Sequence, residues 1–260
     1  DRATSRVEDR LARNPRCRCF LAVSTITKEK FLSEYPEDAG KVLIVPPGTD
    51  VGRFERLNRE RCRKEVRRSL GLEPAALLLL FVSMNFEVKG LDYVMQGLSA
   101  LKRGGGPEIP VLFVVGRGNE GQYRRLAGEL GIGENVRFSG VTGRENLDAL
   151  YLGSDLFAML SRFDTFGMAA LDAMAASLPV VLSGNVGAKD LVRDGVNGFV
   201  VGDPADAAAV AGRFARLLET GLRQRMGQEA FRTACGQSWD EVARRQIEIY
   251  EELLGTGPGG

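Results

Sequence analysis

In the stretch SRFDTFGMAALDAMAASLPVV, residues 161–181, two aspartates, Asp164 and Asp172, stand eight positions apart around an aromatic-glycine pair, Phe166-Gly167. The small and apolar residues from Met168 onward predict a buried helix that begins near Gly167. Asp164 then lies in the loop before it, and Asp172 lies about 7 Å along its axis at ~1.5 Å per residue. A helix N-terminus offers unpaired N–H groups and partial positive charge, which favours an anion such as a diphosphate. Carboxylates on either side of that anion are acceptors suited to hydroxyl groups. The layout therefore fits a nucleotide-sugar, with the sugar toward Asp164 and the ribose toward Asp172. A plainer arrangement, with Asp164 capping the helix and Asp172 solvated, fits the same spacing.

A second stretch, FVVGRGNEGQYRRLAGEL, holds G-x-G-x-x-G at Gly116, Gly118 and Gly121, between a strand and a helix. That context suits a dinucleotide. However, it follows the second strand of the sheet instead of the first, and the next strand, NVRFSG, ends without the acid that would hold a ribose. Glycines serving a tight strand-to-helix turn account for it equally well. The phosphate loop G-x-x-x-x-G-K-[ST] is absent.

These residues sit in a regular frame. Short apolar runs at Leu77–Ser83, Val111–Val115, Asn135–Phe138, Asp155–Leu160, Pro179–Leu182 and Gly198–Val201 predict strands. Helical patterns at Leu91–Lys102, Gln122–Leu130, Arg144–Tyr151 and Met168–Ala176 separate them. Strands alternating with helices predict an α/β, Rossmann-like domain with a parallel sheet covered on both faces. Residues 1–48 are expected to be the tail of a preceding domain, ending in the turn-rich linker PPGTD. Residues 49–236 form the sheet domain, residues 237–254 a closing helix with an apolar stripe, and residues 255–260 a disordered tail.

With 260 residues and 44% hydrophobic composition, the chain can bury a sizeable core. Lys+Arg of 35 against Asp+Glu of 34 gives no electrostatic case for nucleic acid. No apolar run approaches the ~18 residues of a membrane span, and the charged first residues are unlike a signal peptide. The chain contains no histidine, which excludes a Ser-His-Asp or Cys-His site within it. The four cysteines have no zinc spacing and are expected to be reduced thiols of a cytoplasmic protein. The basic stretch GRFERLNRERCRKEVRRSLGL predicts an amphipathic helix with a solvated basic face; peripheral contact with an anionic membrane is the alternative.

The first stretch closely resembles the signature E-x-F-G-x-x-x-L-E-A-M-A of family-4 retaining glycosyltransferases. The resemblance extends over most of the chain. LAVSTITKEKFL and KVLIVPPGTDVGRF look like that family's interdomain segment, and FVSMNFEVKGLDYVMQGLSAL like its first loop. VRFSG, LYLGSDLF and LVRDGVNGFVV follow in the family's order, and the closing SW…Y helix matches its last. The likeness is strongest to the lipopolysaccharide core glucosyltransferases. It implies the GT-B architecture, two Rossmann-like domains facing across a cleft, with this chain as the second, donor-binding domain plus the end of the first. The missing N-terminal Rossmann-like domain would add about 150 residues and supply the acceptor site.

Carried over by position, the resemblance makes Asp164 the holder of donor-sugar hydroxyls and Asp172 of the ribose. Phe166, Gly167 and Met168 are backbone contacts to sugar and diphosphate. Lys89 neutralises the departing diphosphate, and Phe138 and Val141 lie along the base. Gly187 and Asp190 line up with the family's switch loop. The implied donor is a nucleotide-diphospho-sugar, UDP-glucose or a near relative, used as a substrate with no cofactor and no metal motif. The acceptor is a saccharide or glycolipid. Two departures stand out. Both family glutamates are aspartates here, each one methylene shorter, and Met84 replaces the arginine five places before the lysine. Arg117 is the candidate for that second positive charge; a solvated arginine is the simpler alternative. A non-catalytic nucleotide-sugar-binding module is the alternative function, and an NAD-linked oxidoreductase domain the third.

Overall fold

A computed structural model describes residues 9–105 and 109–255; of the expected disordered tail, residues 256–260 lie outside these. Among the described residues, eight parallel strands fall into two sheets. The smaller pairs β1 (Phe20–Ala22) with β2 (Val42–Ile44) across the helix α1 (Thr25–Glu34), a single βαβ unit. The larger contains β3 (Leu78–Ser83), β4 (Val111–Gly116), β5 (Val136–Gly140), β6 (Leu156–Met159), β7 (Val180–Ser183) and β8 (Gly198–Val201), in the order β5-β4-β3-β6-β7-β8. The expected α/β class and all six strands of the main sheet are present.

The apolar strands divide their side chains between two cores, as alternation along a doubly covered strand requires. Leu78, Leu80, Phe113 and Phe157 face one side, beneath α2 (Arg59–Ser69), α5 (Arg144–Gly153) and α6 (Met168–Ala175). Leu79, Phe81, Leu112 and Leu156 face the other, beneath α3 (Leu91–Arg103), α4 (Glu120–Glu129) and α7 (Ala207–Leu218). The chain ends in α8 (Thr220–Cys235) and α9 (Trp239–Leu254). Gln237, between them, donates to the carbonyls of Pro46 and Pro47, so the closing helix is tied to the linker. On α9, Trp239, Ile247, Tyr250 and Leu254 are exposed, as are Leu43 and Ile44 on β2.

One backbone position is strained. Ser177 has φ +56°, the left-handed region, and is the non-glycine residue there among those described. It ends α6: its N–H donates to Met174 O (2.9 Å) and Leu178 N–H donates to Ala173 O (2.9 Å). This crossed pair of bonds is the helix stop that favours glycine at the Ser177 position. Ser177→Gly is expected to stabilise the chain by about 1 kcal/mol, raising Tm by roughly 2–4 °C. Calorimetry of the two proteins measures it, and an unchanged or lowered Tm contradicts it.

Candidate donor-nucleotide site

In the sheet order, the chain runs outward from β3 through β4 to β5, then returns to the other side of β3 to lay down β6. The C-terminal ends of β3 and β6 therefore flank the point where strand order reverses, the usual place for a ligand in an open parallel sheet. A cavity of 460 Å³ lies there, lined by Ser83 at the end of β3 and Met84 just after it, Gly116 at the end of β4 and Met159 at the end of β6. Loops carrying Lys89 and Asp164 complete it.

Lys89 and Asp164, 75 positions apart, meet in this cavity, with Nζ 2.5 Å from Oδ2. The other carboxylate oxygen accepts the backbone N–H of Phe166 at 3.2 Å, closing a turn that shapes the loop before α6. Gly167 follows with φ +92°, and a Cβ there would come within 2.8 Å of Val186 Cγ1 and 3.4 Å of Asp164 Oδ2. Glycine thus lets the loop turn directly into the helix against the acid. The loop is fastened from below as well. Asp164 N–H donates to Asn185 O, Gly187 N–H to Asp164 O and Ala188 N–H to Phe166 O.

Among the described α-helices from Thr25 onward, three have no side-chain cap at the N-terminus: α3, α5 and α6. The others are capped by Ser24, Asn58, Asn119, Asp206, Glu219 and Ser238. Each of the three borders the cavity through residues at its start: Lys89 before α3, Thr142 and Leu147 at α5, Met168 and Ala169 at α6. Helix starts without a side-chain cap and a lysine bordering one space are a setting for a polyanion.

The Gly-rich loop has another job. At Gly116 (φ +122°) a Cβ would fall 1.7 Å from Ser83 O, and at Gly118 one would fall 2.2 Å from the Phe86 ring. These glycines let β4 and its loop close onto β3. The following helix start is already capped, since Asn119 accepts from Gln122 N–H. This is the tight-turn reading, with no free helix terminus for a dinucleotide.

The remaining sequence candidates divide. Phe166, Gly167, Met168 and Val141 line the cavity with Lys89 and Asp164. Phe138 and Arg117 do not. Phe138 packs on Phe86 and under the Arg124 guanidinium (4.9 Å), and Arg117 is exposed beyond the end of β4. Asp172, expected at the ribose, also lies outside the lining. Its Oδ1 accepts from Thr49 Oγ1 (2.8 Å), and its Oδ2 lies 3.1 Å from Arg53 Nη2. One helix turn and a half beyond Gly167 turns this side chain toward the linker and away from the helix mouth. Arg53 also lies 3.1 Å from Asp148 Oδ1 on α5. Burial pushes the Asp148 carboxyl above its ordinary range, with Arg53 the main opposing influence.

Sequence reasoning missed this Thr49–Arg53–Asp148–Asp172 network, because TDVGRF reads as a turn-rich linker. It placed Gly187 and Asp190 in a switch loop without foreseeing their contacts with the start of α1 and the Asp164 loop. Asp190 Oδ2 accepts the Thr25 N–H (2.6 Å), and a Cβ at Gly187 would lie 2.2 Å from Thr165 O. Ser24 Oγ donates to the same Thr165 carbonyl at 2.6 Å. The start of α1 is therefore hydrogen-bonded to the loop that presents Asp164.

Comparison with known proteins bears on this geometry. The profile of the family described as "Glycosyl transferases group 1" matches residues 63–233. A D-inositol 3-phosphate glycosyltransferase of Salinispora arenicola is 34% identical over 239 residues, covering 87% of this chain and 53% of that protein. The chain thus spans about half the length of the curated relatives it matches. Among solved structures, WaaG, a glycosyltransferase involved in lipopolysaccharide biosynthesis, superposes with a TM-score of 0.75 at 23% identity, covering 95% of this chain and 64% of that one. Anabaena HepE in complex with UDP and glucose gives 0.78 at 22%, covering 98% and 68%.

Proposed function

The chain belongs to the group 1 glycosyl transferases, and from that premise we propose that it is the donor-binding half of a family-4 retaining transferase. Its α/β fold is that of the GT-B glycosyltransferases. The donor in this reading is a nucleotide-diphospho-sugar, UDP-glucose or a near relative. The observation that carries it is the cavity at the strand-order reversal, where Lys89, Asp164 and the uncapped start of α6 face one space. That HepE was crystallised with UDP and with glucose supports the choice of donor.

In this mechanism the diphosphate lies at the N-terminus of α6 with Lys89 beside it. Negative charge grows on the diphosphate as the glycosidic bond breaks, and fixed N–H dipoles with a lysine stabilise it there. Asp164 is freed from Lys89 when the phosphates engage the amine, and it accepts a sugar hydroxyl. Phe166, Gly167 and Met168 shape the sugar's floor, and Val141 lies along the base. The exposed apolar residues of α9 and β2 are the surface for the amino-terminal domain, which would bring the acceptor. The acceptor is a hydroxyl of a sugar or cyclitol. The name of the Salinispora relative points to an inositol phosphate, and the resemblance to core glucosyltransferases points to a saccharide of lipopolysaccharide.

Titration calorimetry of the chain with UDP, UDP-glucose, GDP-mannose and NAD tests the donor assignment. UDP and UDP-glucose are expected to bind saturably and NAD to give no heat. Asp164→Asn is expected to weaken UDP-glucose more than UDP, since only the former presents a sugar. Binding of NAD in preference to UDP, or an equal loss for both uridine ligands, defeats the assignment of Asp164.

A further inference from the structure

At the other end of the sheet, where the strands begin, lies a second cavity of about 680 Å³. Leu77, Ile109, Asp155 and Leu178, which precede β3, β4, β6 and β7, form its floor. Arg59 and Arg63 from α2 and Arg223 from α8 form its walls. The basic stretch that looked like a solvated face is thus turned partly inward. Arg67, one turn beyond Arg63, is only 2% exposed.

Much of this positive charge has a structural role. Three helices end here, and arginines bond their last carbonyls. Arg59 donates to Leu152 O and Ala176 O, Arg67 to Gly153 O (2.7 Å), and Arg223 to Leu217 O and Leu218 O (2.8 and 3.0 Å). Arg63 is different. Of its five N–H donors, the one engaged bonds Asp155. Asp155 is the carboxylate among the lining residues, and it also accepts from Arg67 (2.5 Å) and from Leu78 N–H (2.8 Å). Glu219, the acid nearby, has both oxygens on the first amides of α8. Three helix C-termini offset about half a charge each. Four guanidiniums against these and one carboxylate leave an excess of roughly one to two positive charges. Burial lowers the pKa of Arg59, Arg67 and Arg223, and the charge of Arg63 adds to the lowering in each. The same cause, crowded and half-desolvated positive charge, would be relieved by an anion.

We infer that this cavity is a site for a phosphate-bearing small molecule, its phosphate between Arg63 and Arg223. Guanidinium forks approaching from two helices match the oxygens of a dianion. The volume is that of a small-molecule site and exceeds a bare phosphate. Leu77, Ile109, Leu178 and Leu218 offer an apolar wall to the rest of the ligand. The site shares no lining residue with the donor cavity and does not depend on the donor assignment.

Titration of the full chain with inorganic phosphate and with glucose 6-phosphate, at ionic strength matched with potassium chloride, tests it. Both are expected to bind saturably, the sugar phosphate more tightly. Arg63→Gln and Arg223→Gln are each expected to weaken binding about tenfold or more, whereas Lys89→Met leaves it unchanged. Since Arg223 also caps α7, Gln224→Glu provides an independent check. It places a carboxylate at the cavity rim and is expected to raise Tm in chloride while weakening phosphate. Absence of saturable binding overturns the site. So does a loss caused by Lys89→Met but not by Arg63→Gln, or binding to phosphatidylglycerol vesicles with no binding of either soluble probe.

Discussion

Replacing Lys89 with Met is expected to weaken UDP binding by about 10- to 100-fold while leaving the fold intact, the loss expected for one charge-assisted bond of ~1.5–3 kcal/mol. Two effects act in the same direction. The amine that would meet the diphosphate disappears, and Asp164, now held 2.5 Å from that amine, is left with an unneutralised charge facing the phosphates. Removing the acid as well separates them. The double variant Lys89→Met/Asp164→Asn is expected to bind UDP more tightly than Lys89→Met alone, and the difference is the coupling between the two residues. Equal UDP affinity in wild type and Lys89→Met would remove Lys89 from the diphosphate site.

Arg53→Met is expected to destabilise the chain by about 3 kcal/mol, the cost of stripping the counter-charge from buried carboxylates. Arg53 and Asp148 side chains are only 13% and 10% exposed, and Asp172 relies on the same guanidinium. Asp148→Asn in the variant background is expected to recover part of the loss. The pH dependence has a definite sign. Burial holds the Asp148 carboxyl above the ordinary carboxylate range, and loss of Arg53, the main opposing influence, raises it further. An acid with a raised native pKa favours folding below its unfolded value, and that benefit is lost as pH rises through the native value. The Arg53→Met deficit should therefore be smaller near pH 5 than near pH 8. Urea unfolding at both pH values measures it; a pH-independent deficit of under about 1 kcal/mol would show that Asp148 and Asp172 do not need this partner.

The main sheet was legible because each of its strands is buried on both faces and reads as an apolar run between turn residues. Lys89 and Asp164 were legible for a different reason: each sits in a short motif whose order along the chain matched a known pattern. Asp172 belongs to the same motif, yet its surroundings were not legible. Thr49 and Arg53 lie more than a hundred residues earlier, and nothing local in a linker declares which helix it will lie against. The Gly-rich loop shows the same limit from the other side. Its spacing fits a ligand, but the need for Gly116 and Gly118 comes from Ser83 O and Phe86, on a neighbouring strand and its loop. The basic helix was read by composition, which cannot distinguish an arginine in water from one bonded to another helix's carbonyls.

The bonds from Ser24 to Thr165 and from Thr25 to Asp190 have a consequence for how the molecule opens. The βαβ unit that precedes the linker is not a neutral spacer, since its helix grips the loop presenting Asp164 and the segment fastened beneath it. Any rigid swing of an amino-terminal domain attached to that unit would pull on both segments before it uncovered the cavity. Separation of that unit from the sheet domain and disassembly of the cavity wall around Thr165 and Asp164 would then be one event, and under the proposed donor assignment the same motion would loosen the donor.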